Sequence, residues 1–208
     1  MSMVSAIALI LVVCFLWFID LPYYQSVFKI HYYVKKQNLQ AAEAVASAIL
    51  SKPRPGNRSL SLVYRWKASM LLREGKLKEA KDQVSRALEL TPSDPRGHLL
   101  SAMTEWNSHP EQALRALDKA QAGSTFLDVN IRRGIQFFRA LAHISLGQGE
   151  EALKILTTLP PKCHTKLQRF LGQAYSLTGQ YSKALECFEE AGVGNPRTQM
   201  GWFFTKAA

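Results

Sequence analysis

The sequence is poor in the side chains from which active sites are usually built. Its 3 cysteines, Cys14, Cys163 and Cys187, lie far apart and form no CxxC pair. That spacing indicates neither a disulfide framework nor a thiolate zinc site, and reduced thiols are the default. The 5 histidines, His31, His98, His109, His143 and His164, are scattered and show neither HExxH nor paired spacing. No Gly-rich loop opens a helix in a phosphate-binding arrangement, and Gly147-Gln148-Gly149-Glu150 reads as a turn between two helices. Cys163 and His164 are adjacent, but a nucleophile and its base must converge in space, and adjacency in a Pro-flanked stretch does not bring that about. No enzyme activity, metal or cofactor is expected.

Acidic side chains are also scarce, at 16 against 26 Lys and Arg, for a formal charge of +10. Residues 21–60 carry six basic side chains and only Glu43 against them, so half of the net charge sits in that stretch. With 208 residues and 47% hydrophobic content, the chain can bury the core of one domain and does not have the composition of a disordered segment.

No Lys or Arg precedes Lys29, and Met3 to Ile19 is an uncharged run of Val, Ile, Leu, Phe and Ala, stopped by Asp20 and Pro22. At about 1.5 Å per residue such a helix approaches the minimum length that crosses a bilayer core. A cleaved signal peptide would have a basic start and small residues before its cleavage site, whereas this run ends in Trp17, Phe18 and Ile19. Val13 before Cys14 is likewise too large for a lipoprotein signal. Residues 1–20 are therefore expected to be a single transmembrane anchor. Lys29, Lys35 and Lys36 follow it closely, so the positive-inside rule puts the N-terminus outside and the long C-terminal part in the cytoplasm. These three lysines should face anionic lipid headgroups, each contributing about 1 kcal/mol near the surface. Trp17, Tyr23 and Tyr24 flank the boundary where aromatic rings settle. Asn57-Arg58-Ser59 would be a glycosylation acceptor only in a lumenal protein.

The remainder is periodic. In FLGQAYSLTGQYSKALECFEEAGVGNP, residues 170–196, Gly172 and Tyr175 fall on one predicted helix and Gly179 ends it. Ala184, Phe188 and Ala191 recur on a second helix, and Pro196 closes the unit. Small residues at Gly172 and Ala184 suit a close helix crossing, and Tyr175 and Phe188 would fill the space beside it. The pattern resembles the tetratricopeptide repeat (TPR), whose hairpins of about 34 residues bury their apolar faces by stacking. Ser61 to Asp94 repeats it through Tyr64, Ala68, Gly75, Ala80, Val84, Ala87 and Pro92, while residues 97–120 and 130–159 are more divergent. Residues 26–50 supply a fifth hairpin. The steps between Ala42, Ala80, Ala113, Ala152 and Ala184 are 38, 33, 39 and 32 residues. The expected fold is thus all-α: an anchor over residues 1–20, a basic juxtamembrane hairpin over 21–50 and a connector over 51–60. Four TPR-like hairpins over 61–196 follow, with a capping helix over 197–208 that contains Trp202. A second connector is expected over residues 122–128.

The resemblance implies that the first helix of each hairpin faces a groove that holds a peptide or helix of a protein partner. Its offsets select Arg65, Ser69 and Leu72, then His98 and Glu105, then Phe137, Leu141 and Ile144, then Lys166, Arg169, Gln173 and Ser176. Such a surface would be basic at both ends and apolar in the middle, fitted to an acidic or amphipathic segment of a membrane-associated protein. The carboxylate clamp of chaperone-binding members is not reproduced, because Ser69 and Ala102 stand where asparagine is wanted. The expected function is a membrane-tethered scaffold for assembling or recruiting a complex, in a bacterial inner membrane or as a receptor of the mitochondrial outer membrane. Nucleic-acid binding is the competing class. It is disfavoured because half of the charge is juxtamembrane and base-stacking aromatics are not interleaved with it.

Overall fold

The computed structural model describes residues 29–30, 32–33, 39–50, 56–124, 129–160 and 164–192. Among them every extended element is helical: α1 (Leu39–Leu50), α2 (Asn57–Arg73), α3 (Leu77–Leu90), α4 (Pro95–Glu105), α5 (Pro110–Gly123), α6 (Val129–Ser145), α7 (Gly149–Leu156), α8 (His164–Leu177) and α9 (Tyr181–Glu190). The pairs α2/α3, α4/α5, α6/α7 and α8/α9 are four consecutive helical hairpins, which makes the architecture TPR-like. Residues 3–19, 35–36 and 197–208, on which the anchor, two of the membrane-facing lysines and the capping helix were expected, lie outside the described residues. Among the described residues no helix is long and apolar enough to cross a membrane.

Three of the hairpins turn by one device. Gly75, Gly147 and Gly179 each follow a first helix at φ +75°, +74° and +75°, a left-handed conformation open mainly to glycine. The Gly75 amide donates to Leu72 O and the next amide, of Lys76, to Leu71 O at 2.9 Å. The same pair recurs after α6, where Gln148 N donates to His143 O, and after α8, where Gln180 N donates to Tyr175 O. These are the two bonds of a Schellman cap, which satisfies the last carbonyls of the first helix. The residue after the glycine then begins the second helix: the carbonyls of Lys76, Gln148 and Gln180 accept from the amides of Ala80, Ala152 and Ala184. The repeated alanines are therefore the residues whose amides close the first turn of each second helix. All of Ala80, Ala113, Ala152 and Ala184 are fully buried. The α4/α5 hairpin has no such glycine. It turns through Trp106–His109 and restarts on Pro110, which needs no amide at the first helical position.

The chain divides into two compact units, Met1–Pro92 and Ser93–Ala208. In the first, Ile30, Ala46, Ile49 and Val63 form a buried cluster with Val45, Leu62 and Trp66 beside it. Helix α2 begins at Asn57, inside the stretch expected to be a connector, and Ser61 on it is buried. The Ser61 hydroxyl donates to Ala87 O at 3.1 Å and shares a 2.5 Å hydrogen bond with Thr91 Oγ1, tying α2 to the end of α3. In the second unit the hairpins stack in order: α5 packs on α6 and α7 on α8, while the first helices α4, α6 and α8 touch in a row. Two clusters fill that stack. One joins Ala102, Ala113, Leu117, Ala120, Ile131 and Ile135, and the other Ala140, Ala152, Leu156, Leu167 and Ala174.

Helix α4 has a side-chain cap at its start. The Asp94 carboxylate accepts from Arg96 N at 3.2 Å and from Gly97 N at 3.1 Å, ahead of Pro95 at the first helical position. Asp94→Ala is expected to lower stability by about 1 kcal/mol in a denaturant melt, while Asp94→Asn keeps most of it. An Asn variant as weak as the Ala variant would show that capping is not what Asp94 supplies.

Candidate protein-binding surface

In the second unit the row of first helices carries a cluster of four aromatic rings in mutual contact. Phe137 and Phe138 sit on α6, Phe170 on α8, and Trp106 directly after α4. The Phe137 and Phe170 centroids are 5.5 Å apart at 77°, Phe137 and Phe138 are 5.4 Å apart at 82°, and Trp106 and Phe170 are 6.4 Å apart at 87°. All three contacts are edge-to-face, the arrangement that aligns a ring's positive edge with a negative face. Each contributes about 0.5–1.5 kcal/mol beyond burial. All four rings are half-buried, so one side anchors in the two clusters while the other keeps solvent-accessible apolar surface.

The residues selected from sequence are distributed as follows. Arg65, Ser69 and Leu72 lie half-buried on α2 of the first unit. His98 on α4 and Gln173 and Ser176 on α8 are half-buried, and Arg169 on α8 is exposed. Lys166 falls within α8 with its side chain outside the described residues, and Lys29 is exposed. Phe137 and Ile144 pack on the cluster around Ala140 and Leu156, so both have core partners that the repeat offsets did not assign. Leu141 is a correction: at 2% exposure it has no surface to offer a partner. Glu105 is also buried. Trp106, Phe138 and Phe170 were missed, because the offsets sample one residue per turn of each first helix and pass over its neighbours.

Charge near this row is organised by pairs. Arg139 on α6 reaches back to α5, placing Nη2 2.8 Å from Asp118 Oδ1 and 3.0 Å from Gln121 Oε1. On the last hairpin, Gln168 Nε2 donates to Glu190 Oε2, and the Lys183 ammonium stands 5.5 Å from the Tyr175 ring centroid. Burial, together with Glu190 and Glu186, pushes the Cys187 thiol above its ordinary range, which disfavours the thiolate a nucleophile or metal ligand requires. In the first unit the Lys76 ammonium is held charged by its hydrogen bond to Glu74, at 2.8 Å, and by the charges of Glu74 and Glu79. Among the described residues no three His, Cys, Asp or Glu side chains converge as metal ligands would. The arrangement offers contact surface of mixed apolar and basic character.

Helical hairpins with buried alanines opening their second helices, glycine-capped turns in three of the four, and in the second unit a row of touching first helices define a helical-repeat protein of the TPR class. The family model described as the protein kinase G tetratricopeptide repeat matches residues 68–196, and the chain belongs to that family. Solved structures share the fold. One titled MamA AMB-1 is 17% identical with a TM-score of 0.55, covering 83% of this chain and 98% of that chain. A second, a crystal structure of MamA protein, is 14% identical with a TM-score of 0.54, covering 82% of this chain and 90% of that chain. Among curated proteins none matches the sequence significantly.

Proposed function

We propose that the protein is a membrane-tethered TPR scaffold that holds an amphipathic segment of a protein partner along the first-helix row of its second unit. The observation that carries this reading is the half-buried aromatic cluster of Trp106, Phe137, Phe138 and Phe170, with exposed Arg169 one residue before Phe170. Aromatic rings anchored on one side lose little side-chain entropy on binding, and such residues dominate the energetics of many interfaces. Arg169 would steer acidic groups of the segment towards the rings. The Arg169→Glu variant is suited to testing this, since its side chain is exposed and its loss should leave the helices folded. Co-purification from the protein's own membranes in mild detergent is expected to lose partners with this variant, and wild-type binding should weaken at high salt in parallel. Unchanged partners on a folded variant would remove this face from consideration.

Tethering rests on the apolar run from Met3 to Ile19 and the basic stretch behind it. In this reading the N-terminus faces out, the hairpins are cytoplasmic, and Lys29, Lys35 and Lys36 contact anionic lipid. The full chain should then resist alkaline extraction from membranes, and removal of Met1 to Asp20 should release it. Extraction of the full chain by alkali would show that residues 1–20 do not span the bilayer.

A further inference from the structure

Charge in the α4/α5 and α6/α7 hairpins is sorted along the helix axes. The end of α5 lies beside the start of α4, since a Cβ at Gly123 would fall 3.0 Å from Ser93 O and 3.6 Å from Pro95 Cβ. The start of α6 is level with both, because a Cβ at Gly134 would fall 3.0 Å from Leu99 Cδ2. These three helix ends form one edge of the second unit, and it exposes Arg96, Lys119, Arg132 and Arg133. The opposite edge, where α4 turns into α5 and α6 into α7, exposes Glu111, Glu150 and Glu151. At the basic edge the Asp94 carboxylate accepts from the amides of Arg96 and Gly97, and Asp118 on α5 is paired with Arg139.

Helix stability does not ask for this arrangement. A helix start favours acidic side chains, and α5 and α7 follow the rule with Glu111, Glu150 and Glu151 in their first turns. Helices α4 and α6 have no acid there and begin with Arg96, and with Arg132 and Arg133, against the dipole. A local rule broken in the same sense at neighbouring helix starts marks function rather than folding. We propose that this edge rests on an anionic membrane surface, with its four basic side chains among the phosphate headgroups. Val129, 44% exposed at the start of α6, would meet their apolar margin. The placement rests on the tethering read from residues 1–20, which would keep the unit within reach of one bilayer. A planar charged surface is the partner that sorted charge suits. Its potential decays within about 8–10 Å at ordinary salt, whereas helices of 14 and 17 residues such as α5 and α6 span about 20–25 Å. The basic edge then lies inside the field and the acidic edge outside it, so the unit is oriented as well as held. Nucleic acid fits less well, because stacking calls for aromatic rings and Val129 is aliphatic.

The test is photo-crosslinking of the full chain in nanodiscs, with p-benzoylphenylalanine in place of Val129 and lipid adducts read by mass spectrometry. Discs of phosphatidylcholine with phosphatidylglycerol are compared with discs of phosphatidylcholine alone. An adduct is expected on the anionic discs, falling at least about fivefold in the Arg132→Gln, Arg133→Gln double variant and again in high salt. The same probe in place of Tyr181, at the far edge, should give none. Equal adducts on both kinds of disc would overturn the proposal, as would none at residue 129 while the chain stays on the discs. Both arginines are exposed, and taking positive charge from a helix start should hold or raise the melting temperature. A lower one would make them structural and overturn the assignment. Retention of poly(U) on a filter that the double variant loses, without a lipid adduct, would give the edge to nucleic acid instead. A chain that never enters the discs would fail the tethering reading, and flotation with vesicles of the same two compositions then decides whether the edge binds by itself.

Discussion

Phe188→Ala is expected to cost about 3–5 kcal/mol, enough to consume much of the stability of an ordinary domain. Phe188 is 2% exposed and occupies the crossing of α8 and α9. Gly172 lies beneath it, so close that a Cβ there would sit 2.7 Å from Phe188 Cε1 and 2.9 Å from Cδ1. The rigid ring cannot yield by changing one terminal torsion. Gly172→Ala alone should therefore be destabilising, by about 1–3 kcal/mol of overpacking offset by about 1 kcal/mol of helix propensity. Together the two changes should be markedly less than additive, because the new methyl enters space that the ring has vacated. A double-mutant cycle in urea, on the chain lacking Met1 to Asp20, measures this directly, and a coupling above about 0.5 kcal/mol is expected. Strict additivity would mean that Phe188 is not the reason residue 172 is glycine.

That pair was legible in the sequence because both halves of it lie within one hairpin at a fixed spacing. The same holds for the glycine turns: φ near +75° at Gly75, Gly147 and Gly179 leaves few residue choices, so the constraint is written in the residue itself. Likewise, alanines buried at the start of each second helix admit no larger side chain. The turn at Trp106–His109 is marked by another residue, since a turn that ends on Pro110 uses no positive-φ glycine. Contacts between hairpins were harder still. Offsets assign each first helix one exposed stripe, but α6 is packed by α4, α5, α7 and α8, and Ala140, Leu141 and Ala142 are buried consecutively. A helix with neighbours on four sides keeps little of the stripe, which is why Leu141 is lost to the core. The aromatic cluster was hidden for a related reason: Trp106 and Phe170 lie 64 residues apart in sequence, and only the stacking of three hairpins brings them to 6.4 Å.

Leu117→Ala should approach the upper end of the usual range, about 2–5 kcal/mol, because the alanines that make up most of its buried surroundings cannot close the gap. Leu117 is fully buried on α5, and five of its cluster neighbours are alanines: Ala102, Ala113, Ala116, Ala120 and Ala142. Alanine has no rotamer that could swing into a void, so relaxation is left to the few larger side chains of the cluster, such as Ile131 and Ile135, and to backbone shifts of α4 or α6. The packing contacts that bordered the lost methyls are then forfeited. Leu117→Met, which nearly conserves volume, should cost less than about 1.5 kcal/mol. Trp106 and Phe138 rest on the same cluster, so the Ala variant should also loosen half of the aromatic face and weaken partner capture at temperatures where the chain remains folded. Because each hairpin of a stacked array is stabilised by its immediate neighbours, the damage should be local. Hydrogen exchange is expected to rise first in α4, α5 and α6, and least in α9. A loss below about 1 kcal/mol, or protection lost evenly from α4 through α9, would mean that this cluster is not the separate unit of packing inferred for it.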